Sequence, residues 1–204
     1  MGYLKGYLLS ALADGHVYEF KTVLRIVYRQ KNEFWVKNIS LMLTKLFKKR
    51  PKSIKTKDGC WMIWIYVKKE KAKEFLKPWA FITKAERKTR KGFITGFFDA
   101  DGQLYIRNRD YRVIFHQKER NRLQIMKMLL KEFGFRSHIL GPYRNGKSFI
   151  YRLIIYGKSE VLRFLKCFRP LLKTTHWHVK GTAVRGLWST GRPKGRAGQP
   201  RRRG

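Results

Sequence analysis

The chain has 204 residues, enough for one large domain or two small ones around a shared core, and 43% of them are hydrophobic. Its 48 Lys and Arg against 13 Asp and Glu leave a formal charge of +35, spread along the whole length; folding gains nothing from that self-repulsion, so a polyanion, with nucleic acid as the default, is the expected partner. Cys60 and Cys167 lack the close spacing of a structural zinc site, no apolar run nears the roughly 18 residues that span a bilayer, and the N-terminus has no signal-peptide pattern, so the expectation is a soluble, intracellular protein with no membrane partner.

In chain order, Tyr3 to Ala13 is mostly apolar and ends at a glycine, which suits a buried helix stopped by a left-handed cap. Val17 to Phe20 and Val23 to Arg29 read as a hairpin, and Phe34 to Phe47 carries apolar residues at helical spacing. A second hairpin turns at Asp58-Gly59, returns along the aromatic and β-branched run Trp61 to Val67, and is followed by a closing helix over Ala72 to Trp79. Lys84 to Lys91, basic and polar, reads as a connector. The series then recurs. Arg87 to Ala100 is a second helix ending at a glycine, and Leu104 to Arg107 turns through Asn108-Arg109-Asp110 into Tyr111 to Gln117. Asn121 to Phe133 is a helix closed by Gly134, Asn145-Gly146 turns into Phe149 to Tyr156, and Glu160 to Leu172 closes the set. His176 and His178, flanking Trp177, read as surface residues. From Gly191 the chain has nothing larger than Ala or Pro with which to build a core and reads as a disordered basic tail. The expected organisation is a first half at 1–83, a connector at 84–91, a second half at 92–190 and the tail at 191–204.

The recurrence extends to single residues. Leu12-Ala13-Asp14-Gly15 answers Asp99-Ala100-Asp101-Gly102 at an offset of 87, and the same offset lays Arg25 to Lys31 on Arg112 to Lys118. After a small length change, Glu74-Phe75-Leu76-Lys77 meets Arg163-Phe164-Leu165-Lys166 at an offset of 89. Two halves of one architecture follow.

Alternation along the strands sorts their side chains by face. Leu104, Ile106, Tyr111, Val113 and Phe115 share an apolar side, leaving Tyr105, Arg107, Arg112 and His116 on the other. Arg25 and Arg29 take the matching places in the first half, opposite Leu24, Ile26 and Tyr28, and Tyr18 and Arg152 are assigned to the same surface. Each half therefore offers a basic, aromatic sheet face, and two-stranded ribbons of this kind fit the major groove of DNA.

The segment Ile94-Thr95-Gly96-Phe97-Phe98-Asp99-Ala100-Asp101-Gly102 resembles the signature of the LAGLIDADG homing endonucleases, in their monomeric, two-motif form. The earlier copy, Tyr7 to Gly15, is degenerate: Leu9 stands where the glycine is expected and Leu12 replaces the first acid. With the hairpins in step, the resemblance covers residues 3 to 172. It implies an α+β fold of two pseudo-symmetric αββαββα halves, which form a saddle-shaped β-sheet surface for DNA with the two motif helices at the central interface. Ser10, Ala11 and Ala13 would face Gly96 and Ala100 there. It further implies that Asp14 and Asp101, with the backbone of Ala13 and Ala100, hold Mg²⁺, with Mn²⁺ or Ca²⁺ able to substitute for binding; Asp99, with no counterpart in the first half, ranks behind them as a metal ligand. Gln30 and Gln117 would orient water or a metal-bound ligand, and Lys31 and Lys118 would offset transition-state charge or organise water. The implied activity is site-specific hydrolysis of double-stranded DNA across the minor groove by a monomer encoded within an intron, leaving short 3′ overhangs. The alternative on the same fold is a maturase that binds intron RNA.

Overall fold

The computed structural model describes residues 1–146 and 148–172. The expected tail, residues 173–190 of the second half and the His-Trp-His stretch lie outside the described residues. Helix α1 (Gly2–Ser10) runs into a 3-10 turn at Ala11–Asp14, and strands β1 (Gly15–Glu19) and β2 (Val23–Gln30) follow directly. Helix α2 (Glu33–Phe47) starts under a cap, the Asn32 side chain accepting from the Trp35 amide at 3.0 Å. The half ends with β3 (Lys52–Lys55), β4 (Trp61–Lys68) and the short helix α3 (Pro78–Ile82). The second half repeats the order as α4 (Arg87–Asp101), β5 (Gly102–Arg107), β6 (Asp110–Gln117), α5 (Arg120–Glu132), β7 (His138–Asn145), β8 (Ser148–Tyr156) and α6 (Lys158–Phe168).

Each half contains one four-stranded antiparallel sheet, ordered β1-β2-β4-β3 and β5-β6-β8-β7. The registers coincide: Gly15 faces Tyr28 as Gly102 faces Phe115, and Arg25 sits between Tyr18 and Tyr66 as Arg112 sits between Tyr105 and Tyr156. As alternation requires, Leu24, Ile26 and Tyr28 in one sheet and Val113 and Phe115 in the other are fully buried against helices. Turn chemistry also holds, with Asn108 and Arg109 both at positive φ in the two-residue turn, as are Gly59 and Gly146 in the second hairpins.

Four details depart from the sequence reading. Gly15 and Gly102 are extended, not left-handed; they are glycines because a Cβ would meet the Val27 carbonyl oxygen at 2.4 Å in one half and the Phe98 ring at 2.2 Å in the other. The closing helix expected at Ala72 to Trp79 is instead two 3-10 turns, Lys69–Lys71 and Lys73–Phe75, followed by α3, because Pro78 cannot donate to a helix running through it and belongs in a first turn. Its counterpart α6 is a regular helix, though it stops at Phe168, four residues before the expected end. Arg87 to Lys91 form the first turns of α4 rather than connector.

One hydrophobic core runs through both halves, because α1 and α4 pack side by side along their length. The approach is backbone to backbone. A Cβ on Gly6 would lie 1.9 Å from the Thr89 carbonyl oxygen, one on Gly92 2.0 Å from that of Tyr3, and one on Gly96 2.4 Å from that of Tyr7 and 2.5 Å from Ser10 Oγ. Gly6 and Ser10, like Gly92 and Gly96, are four residues apart and so lie on one helix face. Ser10 faces Gly96 as expected; the close approach is shared by Gly96 with Gly6 and Gly92.

The Ser10–Gly96 pair explains the degenerate first motif. Ser10 to Asp14 is four residues, Gly96 to Asp101 five, so Leu9 is not the counterpart of Gly96 but a core side chain. Four steps of 3-10 helix at about 2.0 Å rise cover about 8 Å, and five α-helical steps at about 1.5 Å cover about 7.5 Å. The tighter turn at Ala11–Asp14 thus carries the carboxylate as far as the longer motif does with one residue fewer.

Candidate nucleic-acid cleavage site

Asp14 ends the 3-10 turn and Asp101 ends α4. The turn bearing Asp14 packs against α4, so the C-terminal ends of the two central helical segments emerge together. Both acids are half-buried, each directly before the strand that follows it, β1 or β5. The last carbonyls of a helix have no intrahelical amide partner and carry the negative end of its dipole. The backbone oxygens of Ala13 and Ala100 belong to these ends and, with the carboxylates, offer hard oxygen donors.

Strand register delivers the next residues. Gln30 lies two positions beyond Tyr28, the partner of Gly15, and therefore reaches back to the residue before that glycine; its Nε2 donates to Asp14 Oδ2 at 3.0 Å. Gln117 lies two beyond Phe115, the partner of Gly102. Both amides are braced alike, since the Lys31 backbone N–H donates to Gln30 Oε1 at 2.8 Å and that of Lys118 to Gln117 Oε1 at 2.9 Å. Lys31 and Lys118 are exposed where their strands end.

Asp99 has a different part. It is 1% exposed, and it accepts from Tyr7 Oη at 2.7 Å and from the backbone amides of Leu171 and Leu172, both at 2.8 Å. Trp35 Nε1 donates in turn to Tyr7 Oη at 3.0 Å. Burial and the Asp99 charge beside it hold the Tyr7 phenol well above its ordinary pKa, so Tyr7 acts as a neutral donor. This acid ties helices and the chain's later segment together, as its lack of a first-half counterpart suggests.

The helix-free sheet faces carry the remaining expected residues. Tyr18, Arg25, Tyr105, Arg107, Arg112, His116 and Arg152 all lie there in the expected strands. His116 Nε2 is 3.2 Å from Gln103 Oε1 and sits opposite Arg152, which stacks on Tyr143 with its guanidinium carbon 4.6 Å from the ring centroid. Arg29 reaches sideways to an ion pair with Asp58 in the neighbouring hairpin turn. That carboxylate is held far below its usual range, first by hydrogen bonds from Thr56 and Cys60 and then by Arg29. The face is less polar than alternation implies, for Val27, Ile114 and Ile154 lie on it and are still buried. Trp64, Tyr66, Tyr156 and Asp110 also belong to it; alternation along β6, and its register carried across to β4 and β8, would have found them.

Among the described residues no three His, Cys, Asp or Glu side chains gather into a metal cage. The donor set at Asp14 and Asp101 instead suits Mg²⁺, which binds one or two carboxylates and keeps waters and phosphate oxygens for the rest. No helix among the described residues is long and apolar enough to cross a membrane.

Two matched helix ends presenting acids beside two antiparallel sheets define the class, and residues 88–167 match the family model described as LAGLIDADG-like domain. That match lies in the second half of the chain, and the described chain as a whole shares its fold with the following solved structures. A structure of mesophilic variants of the homing endonuclease I-DmoI superposes with a TM-score of 0.64 at 19% identity, covering 83% of this chain and 97% of that one. I-DmoI in complex with DNA and Mn gives 0.63 at 18% identity, covering 82% and 96%. The N-terminal LAGLIDADG domain of DUF199/WhiA gives 0.57 at 18% identity, covering 85% and 86%. No curated protein matches the chain by sequence.

Proposed function

We propose that the protein is a site-specific, divalent-metal-dependent endonuclease of the homing type, intron-encoded, acting as a monomer on double-stranded DNA. The observation that carries this reading is the register: Asp14 and Asp101 end adjacent helical segments, each followed by an extended glycine and a strand, and each with a Gln-Lys pair at the end of the next strand. A pseudo-twofold pair of acids addresses two phosphates, one per strand. The I-DmoI structure with DNA and Mn lends support through the shared fold.

In this mechanism Asp14 and Asp101, with the backbone oxygens of Ala13 and Ala100, would hold Mg²⁺. When bound, the metal lowers the pKa of water and stabilises the leaving oxygen. Gln30 donates to the Asp14 carboxylate and so orients it, and Gln117, at the matching position, would do the same for Asp101. Lys31 and Lys118, exposed and cationic, approach the phosphates and offset charge that grows in the transition state. The basic sheet faces hold the flanking grooves in place, so that cleavage spans the minor groove between them and leaves 3′ overhangs.

The test is cleavage of a plasmid library carrying randomised inserts, with Mg²⁺ against EDTA. Linear product dependent on Mg²⁺ and mapped to one insert supports the proposal. Sequence-specific binding without any cut in Mg²⁺ or Mn²⁺ would reduce the protein to a DNA-binding module.

A further inference from the structure

Arg25 and Arg112 occupy the same position in the two halves, 87 residues apart, and are held the same way. The Arg25 guanidinium carbon lies 5.6 Å from the Tyr18 ring centroid, 5.5 Å from that of Trp64 and 5.8 Å from that of Tyr66. The Arg112 guanidinium carbon lies 5.5 Å from Tyr105 and 5.4 Å from Tyr156. These aromatic neighbours come from both flanking strands in each case, so register fixes them. Such contacts remove rotamer freedom from a long side chain before any ligand arrives.

The side edge of each guanidinium is also unavailable, by different means. Arg25 Nε is buried with no hydrogen-bond partner. Arg112 Nε donates to Asp110 Oδ1 at 2.9 Å while its Nη2 pairs with Asp110 Oδ2; Asp110 is two residues away on the same strand and hence on the same face. With the Nε edge sealed in one half and occupied in the other, each arginine can present only its terminal Nη1/Nη2 pair. Two parallel N–H donors at that spacing match the O6 and N7 acceptors of guanine in the major groove.

We infer that Arg25 and Arg112 are guanine-reading residues, and that the target carries guanine at two positions placed symmetrically about the cut, one on each strand. The inference rests on the endonuclease reading above and adds a partial palindrome to it. The two readers differ in stiffness: a carboxylate buttresses Arg112, whereas Val23 stands at the equivalent of Asp110. The Arg112 position is therefore the more stringent.

The test is binding selection from duplexes with a randomised centre, run in Ca²⁺ and followed by sequencing. For the native protein, guanine should exceed other bases by about tenfold or more at two mirror-related positions. Arg25→Gln should erase that preference in one half-site only and Arg112→Gln in the other, with the remaining positions of each profile serving as proof of folding. Asp110→Asn should flatten the Arg112 position severalfold without altering the Arg25 position. Enriched sites lacking paired guanines would overturn the inference alone. So would arginine variants that weaken binding uniformly across sequences, the mark of phosphate contacts. A selection that enriches no sequence would overturn site specificity itself, and the inference with it.

Discussion

Tyr7 donates its phenolic proton to Asp99 Oδ2 at 2.7 Å, a hydrogen bond between residues 92 apart in sequence that joins α1 to α4 in the centre of the protein. The same carboxylate accepts the amides of Leu171 and Leu172, so a single buried acid connects the first helix, the second motif helix and the segment after α6.

Replacing Asp99 by Asn puts an amide NH₂ where an acceptor is needed and aims donor at donor. Each unsatisfied buried group costs about 1–3 kcal/mol, and more when the lost acceptor was charged, so Asp99→Asn is expected to lower stability by about 2–4 kcal/mol in urea unfolding. Tyr7→Phe should cost about 1–3 kcal/mol. Because the two share one hydrogen bond, the double variant should cost less than the sum. Additive costs in that cycle would mean that the bond contributes nothing.

Asp101→Asn and Asp14→Asn test the opposite role for a carboxylate. Loss of a metal-holding acid removes several kcal/mol of transition-state stabilisation, so each variant should slow cleavage of its own strand about 10³-fold and accumulate nicked plasmid. On the proposed mechanism affinity in EDTA should rise, since each carboxylate would repel the phosphate it faces. Equal cutting of both strands by Asp14→Asn would remove that residue from the site.

Gly92 tests the helix contact. Alanine improves intrinsic helix propensity by about 1 kcal/mol, but here its Cβ would lie 2.0 Å from the Tyr3 carbonyl oxygen, which backbone cannot yield without separating the helices. Overpacking of about 1–3 kcal/mol or more should win, and a net loss of about 1–2 kcal/mol should lower the Tm of Gly92→Ala by about 2–8 °C in a protein of this size. An unchanged or higher Tm would show that the helices part freely.

The repeat at an offset of 87 was legible because Asp-Gly, Gln-Lys and the strand alternation recur at fixed distances, and these positions answer to hydrogen-bond register that composition cannot blur. The first motif was harder to read, since alignment residue by residue assumes equal rise and so set Leu9 against Gly96. Only the 3-10 turn at Ala11–Asp14 shows that Ser10 is the true counterpart. The glycines at 6 and 92 were missed for a related reason: close approach of two backbones depends on which faces meet, and a single helix sequence does not state its partner. The sequence places Gln30 near Asp14 through the hairpin but not their hydrogen bond, and the Arg29–Asp58 pair joins strands whose mutual order the sequence leaves open.

Tyr28 makes alkaline stability a measurable consequence of the core. It is fully buried, its hydroxyl donates to the Leu8 carbonyl oxygen at 2.9 Å, and burial raises its pKa well above 10.0. A group whose folded pKa is raised contributes stability below its unfolded pKa and loses it as pH climbs toward the folded value. Deprotonation of lysines over the same range relieves self-repulsion and acts in the opposite sense. The thermal stability of the native protein should therefore weaken above about pH 10 chiefly through buried phenols, Tyr28 and Tyr7 foremost. Phe115 fills the position equivalent to Tyr28, so Tyr28→Phe places there a ring that the fold already accepts in the other half. The variant should lose about 1 kcal/mol at neutral pH, the net value of one hydrogen bond, and show a shallower decline in Tm between pH 10 and pH 11. A decline as steep as that of the native protein would assign the alkaline loss to other groups.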